Sequence, residues 1–500
     1  MIFFHIFLTV LSFVSFVIIF KFFKIRSKYG HLPGPKSNGL IEFFFGQYFD
    51  IYKFLSENNF IEDLQLIWSK KFGSIYVYQF FHQMICITSD EDIIKKILIE
   101  KDLPKKPEIY NIVGYPFGER FLGSGLVSEI NKEKWRARRA LFNHGFKKNS
   151  LLQSIEEFNA KGNKLIQKLN LIAESKKSIY MFDEFNRMAL DAIAKIAFDL
   201  ELDSIGNQES ELNSFITYGL HGLTLKMTDP LSEIRPSNKK LIKEIKQSIR
   251  NLRKFSAEQL RNIIEKFEED SPISNTIFSN ILRHAKSTDD MDFEIMIDDF
   301  ITFFIAGQET TANALSFCIL ELGQNERVLK KLKSEIEEIL GCKNNISNED
   351  ISKLNYTAAV FKESLRKWPP VAAFSRFNPE EIEFGGKLIP KNTWFYVSPF
   401  VMSQSEKYFP RPDEFIPERF ISSEPFAKEN KITSYTYFPF SIGPRNCIGQ
   451  NFAILEGKLI LAKFIQHFDF TLDPYQSLKV VERTTLRPID GVKVYLNPKI

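Results

Sequence analysis

The stretch Phe438-Pro439-Phe440-Ser441-Ile442-Gly443-Pro444-Arg445-Asn446-Cys447-Ile448-Gly449 constrains this chain more than any other. Its glycines and prolines hold the backbone in an irregular turn, and an apolar helical pattern resumes at Phe452. Cys447 therefore sits just ahead of a helix. Backbone N–H groups and the helix dipole there favour the thiolate, the form of cysteine that binds metals. Gly443 and Gly449 allow backbone to approach a flat group closely. Arg445, two residues from the thiol, offers a cation suited to a carboxylate. A merely buried cysteine would need none of these neighbours. A zinc role fails on ligand count, because no cysteine or histidine lies close in sequence.

The other cysteines, Cys86, Cys318 and Cys342, are scattered, with no paired spacing. Four thiols in 500 residues make no disulfide scaffold, so the folded body is expected to face a reducing compartment. The 66 basic and 62 acidic residues nearly cancel, which gives no reason to expect nucleic acid as a partner. Phenylalanine occurs 50 times, enough to fill a core and still line a large apolar pocket.

Ile2 to Phe20 contain no Asp, Glu, Lys or Arg. A helix of about 20 such residues spans the ~30 Å hydrocarbon core of a bilayer. Lys21, Lys24, Arg26 and Lys28 follow at once and are expected to stay cytosolic, with the N-terminus in the lumen. A cleaved signal fits poorly, since no basic segment precedes the run and no small-x-small site follows it. Residues 1–28 are thus expected to form a single-pass membrane anchor with its basic flank, and 29–500 one catalytic domain. Leu32-Pro33-Gly34-Pro35 cannot continue a helix and forms the elbow between them.

The body is expected to be mainly α with small peripheral β-sheets. Apolar residues recur at three- and four-residue spacing over 151–170, 181–200, 240–268, 291–323, 325–340 and 356–367. Short strand-like runs cover Ser74–Gln79, Met84–Thr88 and Val492–Leu496. Another pair, Glu381–Phe384 and Lys387–Ile389, flanks the hairpin signal Gly385-Gly386. Residues 103–125 read as a long loop and 212–236 as poorly patterned.

The pattern Phe-x-x-Gly-x-Arg-x-Cys-x-Gly resembles the haem-binding signature of the cytochrome P450 family, matching at every fixed position. Other segments agree with that resemblance in the same chain order. Trp135 and Arg139, four apart on a basic helix, resemble the Trp-x-x-x-Arg pair that binds a haem propionate; Arg138 has the wrong spacing. Gly307 interrupts a helix at a cost of up to about 1 kcal/mol, which suggests close approach or an opened hydrogen bond. Beside it, Glu309 and Thr310 form an acid–hydroxyl pair at the position of the family's oxygen-activating segment. Glu363 and Arg366, on one helix face, resemble the Glu-x-x-Arg motif, with Arg419 of Pro417-Glu418-Arg419-Phe420 as its later partner. Their implied role is to brace the cysteine loop. Arg376 falls where the family has another propionate-binding arginine. One departure is Ser403-Gln404-Ser405-Glu406, where many relatives carry His-Arg-Asp-Pro.

The resemblance covers essentially the whole chain. It implies the cytochrome P450 fold of the microsomal, membrane-anchored class, with haem b buried between two long helices. Cys447 would ligate the iron, with Phe440, Gly443, Arg445, Trp135, Arg139 and Arg376 contacting the haem. The implied reaction inserts one atom of O2 into an apolar substrate. Electrons would come from NADPH through NADPH-cytochrome P450 reductase, with a small electron-transfer haem protein as a further partner. Membrane lipid is the remaining contact, and the endoplasmic reticulum the implied location. A peroxide-using isomerase or a haem carrier would have less use for Glu309-Thr310. Proposed pocket linings are 103–125, 212–236, Phe300, Phe303, Phe304, Val371–Phe374 and Thr484–Leu486.

Overall fold

A computed structural model describes residues 2–36, 39–147, 151–207, 210–267, 276–288 and 292–499. The chain divides into two compact units. The first joins the N-terminal part through Lys106 to Ala373–Ser405; the second comprises Pro107–Ala372 and Glu406 to the C-terminus.

The first unit begins with α1 (Ile2–Ser27), whose apolar span Phe4–Ser27 is entirely unburied. At 1.5 Å per residue those 24 residues extend about 36 Å, enough by length and composition to cross a bilayer. The proline elbow follows and is stitched to a strand, since Val77 N–H donates to the Pro33 carbonyl at 2.8 Å. Gly34 permits this approach; a Cβ there would lie 1.8 Å from the Val77 oxygen. Helix α2 (Ile61–Phe72) carries Glu62 and Asp63 in its first turn and Lys70 and Lys71 in its last, as its dipole favours. It packs on a hairpin of β1 (Ile75–Phe80) and β2 (Gln83–Thr88), where Trp68 meets the alternate residues Tyr76 and Tyr78. Later come β3 (Phe374–Phe377), β4 (Ile382–Phe384), β5 (Lys387–Ile389) and β6 (Trp394–Val397). The four-stranded sheet runs β1-β2-β6-β3, with β2 and β6 parallel and Ile85 opposite Trp394. The β4–β5 hairpin turns on Gly385 and Gly386, both at positive φ, as the sequence signal requires.

The second unit is helical. Its longer helices are α3 (Lys132–Asn143), α4 (Ile155–Glu174), α5 (Met181–Phe198), α6 (Glu211–Thr228), α7 (Lys239–Lys266), α8 (Phe293–Gln324), α9 (Glu326–Leu340), α10 (Asn355–Lys367) and α11 (Gln450–His467). Two small sheets close it. One pairs β7 (Phe468–Leu472) with β10 (Lys493–Pro498), which also pairs Ile179–Tyr180. The other is β8 (Val480–Arg483) with β9 (Thr485–Pro488). This is the mainly α architecture with small sheets that the periodicity implies. Residues 268 and 291, the expected ends of two helices, lie outside the described residues.

Helix α8 is buried almost all round, as a central helix must be. Phe198 of α5 packs on its Phe300 and Phe304, with ring centroids 4.4 and 5.2 Å apart. Phe303 lies against Phe142 and Phe146. Phe300, Phe303 and Phe304 are all at most 5% exposed, so these three expected pocket residues belong to an aromatic core. Two further expectations change. The segment 103–125 is not one long loop: Pro107–Gly114 forms a helix, followed by a 3-10 turn at Pro116–Gly118. Most of 212–236 is helix α6. Its Gly219 and Gly222 serve close packing. A Cβ on either would come within 2.4 Å of Phe121 or Ile245.

Candidate active site

The cysteine loop closes on itself through backbone hydrogen bonds. Ser441 N–H donates to the Phe438 carbonyl at 2.9 Å, and Asn446 N–H to that of Gly443 at 3.1 Å. Cys447 N–H donates to the Phe440 carbonyl at 2.9 Å, which sets Phe440 and Cys447 side by side. The turn requires φ of 80° at Gly443, a conformation glycine adopts without strain. Helix α11 starts at Gln450, three residues beyond the thiol.

The Cys447 thiol is exposed, yet it lies deep enough in protein that burial pushes its pKa up. Both statements hold if the thiol opens onto an internal space instead of the outer surface. The Gly449 N–H and the Arg139 guanidinium oppose that rise without cancelling it. As a free group the cysteine is therefore a reluctant anion, and a coordinated cation would make it a thiolate. Among the described residues, no three His, Cys, Asp or Glu side chains gather as a metal site. A single thiol suits a metal that arrives with its own planar donors, so the residues present fit a haem.

Helix α3 flanks the loop. Asn131 caps its start by accepting from Glu133 and Lys134 N–H. Trp135 is buried, with the Arg445 guanidinium 4.4 Å and that of Arg139 5.9 Å from its ring centroid. Arg139 donates to the Asn446 carbonyl at 2.7 Å and to its side-chain oxygen at 3.0 Å, holding the residue before the thiol. Arg445 donates to the Glu129 carbonyl at 2.7 Å. Arg138 turns elsewhere, toward Ser124, Glu129 and Asp299, as its spacing implies.

Between Met296 and Leu322, every residue of α8 is buried except Ala306, Gly307 and Thr310. At offsets of one and four these share one helix face, and their small side chains leave it open. On its other side Gly307 meets α5, where a Cβ would lie 2.9 Å from Ile193. Thr310 Oγ1 donates to the Ala306 carbonyl at 2.7 Å. Glu309, about 100° round the helix, points instead toward β9 and is 6% exposed. Its Oε1 accepts from Thr485 Oγ1 at 2.8 Å, and burial pushes its pKa up to about 7. The acid and the hydroxyl thus face different surroundings.

Glu363, Arg366 and Arg419 form one fully buried ionic cluster. Glu363 Oε2 accepts from Arg366 Nε at 2.8 Å, and its Oε1 from Arg419 Nε at 3.2 Å and Ile416 N–H at 2.9 Å. One residue before Glu363, the Lys362 carbonyl accepts from Tyr437 Oη at 3.0 Å, just ahead of the cysteine loop. Arg376 belongs to the first unit, where it is buried on β3 and donates to the Ser375 carbonyl at 2.9 Å. Sequence reasoning missed Asn446, Glu129 and Asn313, and took Thr485 only as part of a pocket-lining turn. Asn446 was reachable as the neighbour of the thiol; the others had no local signal.

A lone accessible thiol on a tight loop ahead of a helix, in a mainly helical body, is the arrangement that a haem-thiolate protein requires. Comparison with known proteins is specific. The family model described as Cytochrome P450 matches residues 42–496. Cytochrome P450 4d2 of Drosophila melanogaster is 29% identical over 520 residues, covering 98% of this chain and 99% of that protein. Cytochrome P450 3A7 of Homo sapiens is 27% identical over 418 residues, 80% of each chain. Cytochrome P450 3A41 of Mus musculus is 27% identical over 489 residues, 94% of this chain and 91% of the relative. The chain belongs to the cytochrome P450 family. It is a haem-thiolate monooxygenase that draws electrons from NADPH through a reductase. The family implies a redox partner and hydrophobic substrates, and the apolar α1 is consistent with membrane anchoring.

Proposed function

We propose that Cys447 is the axial thiolate, that Thr310 and Glu309 handle protons, and that Trp135, Arg139, Arg376 and Arg445 hold the haem carboxylates. Haem, when bound, supplies the activation of O2 from which one oxygen atom enters the substrate. The carrying observation is the accessible Cys447 thiol on the hydrogen-bonded loop just ahead of α11. Phe440 and Gly443 shape the loop around it. The Glu363–Arg366–Arg419 cluster fixes the segment leading into it.

On α8, Ala306 and Gly307 leave room beside Thr310, whose hydroxyl is the polar group on that less buried face. Glu309, titrating near neutrality, can both give and accept a proton under working conditions. Arginines suit the two carboxylates of haem, which are costly to bury unpaired. Residues 1–28 anchor the protein once in the endoplasmic reticulum membrane, with 29–500 as the cytosolic catalytic part. NADPH-cytochrome P450 reductase and a small electron-transfer haem protein are its electron donors. Substrates are apolar small molecules, and no nucleic acid is involved.

Cys447→Ala provides the test. The reduced carbon monoxide adduct of the intact protein should show the red-shifted Soret band of a thiolate-ligated haem. The variant should lack that band, and the same band in the variant would refute the ligand assignment.

A further inference from the structure

The Glu309 carboxyl is held by a hydrogen-bond relay from another part of the second unit. Thr485 Oγ1 donates to Glu309 Oε1 at 2.8 Å, and Asn313 Nδ2 donates to the same Thr485 oxygen at 2.9 Å. Because Asn313 supplies a hydrogen to that oxygen, the hydroxyl's own hydrogen is directed at Glu309. Glu309 Oε2 is also buried and has no protein partner. One carboxyl oxygen is therefore clamped and the other is not.

The clamp has a fixed base. Thr484, between β8 and β9, adopts φ of 70°. Its Oγ1 donates to the Leu220 carbonyl at 3.0 Å and lies 2.7 Å from Thr224 Oγ1, both on α6. A left-handed threonine needs such support, since a β-branched residue is strained there. The turn is thus tied to α6 through Thr484 and to α8 through Thr485.

We propose that Thr485 is the positioning residue of Glu309, clamping Oε1 through the Asn313–Thr485–Glu309 relay so that Oε2 alone exchanges the proton. This rests on the reading of Glu309 as a proton-handling group. The electrostatics agree. Burial raises the Glu309 pKa, and the Thr485 hydrogen bond is the first influence that lowers it again. The charged group acting on it is Arg487 of β9, which in turn feels the charges of Arg483 of β8 and Asp183 of α5. A hydroxyl donated to a carboxylate favours its ionised form, so removing that hydroxyl raises the pKa.

The test uses the full-length, haem-loaded protein. The infrared carboxyl band of Glu309, assigned by difference from Glu309→Gln, is titrated in Thr485→Val and Thr485→Ser. Valine should raise the ionisation midpoint by about one pH unit, as loss of one hydrogen bond to the carboxylate does. Serine should restore the wild-type midpoint. The acid limb of NADPH-driven turnover should move with the band. Thr485→Val should change nothing further when Glu309 is already glutamine. Asn313→Ala, which leaves the hydroxyl in place but undirected, should give a smaller shift in the same direction; it serves if the valine variant fails to load haem. An unmoved midpoint in the valine variant, or a serine variant that behaves like valine, overturns the proposal. If the midpoint moves but Glu309→Gln turns over with the wild-type pH profile, the clamp stands and the proton role of Glu309 falls.

Discussion

Consider Glu363→Gln. The side chains of Glu363, Arg366 and Arg419 are fully buried, so the substitution removes the carboxylate that pairs with both guanidinium groups. Wild-type Glu363 accepts four hydrogen bonds, two from Arg366, one from Arg419 and one from Ile416 N–H. In glutamine one oxygen becomes an NH2 group, which must face at least one of those donors. Burial already pulls the Arg419 pKa down, and the Glu363 charge is the first influence opposing it. Breaking a buried pair in this way costs about 3–5 kcal/mol. Unfolding entropy is about 2.1 cal/mol/K per residue, so in a body this large the loss lowers Tm by roughly 3–5 °C. Urea unfolding of the haem-loaded protein, followed by tryptophan fluorescence and the Soret band, measures it. The control is Glu414→Gln at the Arg411–Glu414 pair, 3.5 Å apart and 55% exposed on both sides. That change should stay within about 0.5 kcal/mol. A Glu363→Gln loss below about 1 kcal/mol would refute the view that this cluster holds the segment under the cysteine loop.

Other perturbations have equally definite signs. At Gly457 on α11 a Cβ would meet the Phe361 ring of α10 at 2.3 Å. Gly457→Ala should therefore destabilise by about 1–3 kcal/mol despite better helix propensity, and Phe361→Leu should recover part of that in the double variant; additive losses would disprove the clash. Glu456 is wholly buried on the same helix, and burial pushes its pKa well above the ordinary 4.5, opposed by Thr311. Its folded state holds the proton more tightly than the unfolded chain does. The favourable contribution is thus complete below pH 4.5 and is lost as pH rises above it. Glu456→Gln should match wild type in urea midpoint at pH 4 and exceed it at pH 8, and equal midpoints at both would contradict this.

What the sequence disclosed follows from where each signal resides. Cys447, its glycines and the long apolar periodicities are local features, and α8 and the cysteine loop appear where expected. Helix α6 was obscured because its sequence is poorly patterned, and the close packing of its Gly219 and Gly222 on Phe121 and Ile245 is visible only in the fold. The pairing of β2 with β6 joins residues about 300 apart and leaves no periodic trace. Thr485 was named only as part of a turn, because its partner Glu309 is 176 residues away. Glu309 and Thr310 are adjacent in sequence, but only the helix shows that they look in different directions.

The parallel pairing of Ile85 with Trp394 also sets a schedule for synthesis. At 5–20 residues per second, β6 leaves the ribosome roughly 15–60 seconds after β2. Until then the β1–β2 hairpin offers an unpaired strand edge, which invites association with other chains. By that time α1 has long since emerged and can already be in a bilayer. A growing chain held to a surface meets fewer neighbours in solution, so an apolar span that reached a bilayer early would also shelter this sheet while it waits for its second half.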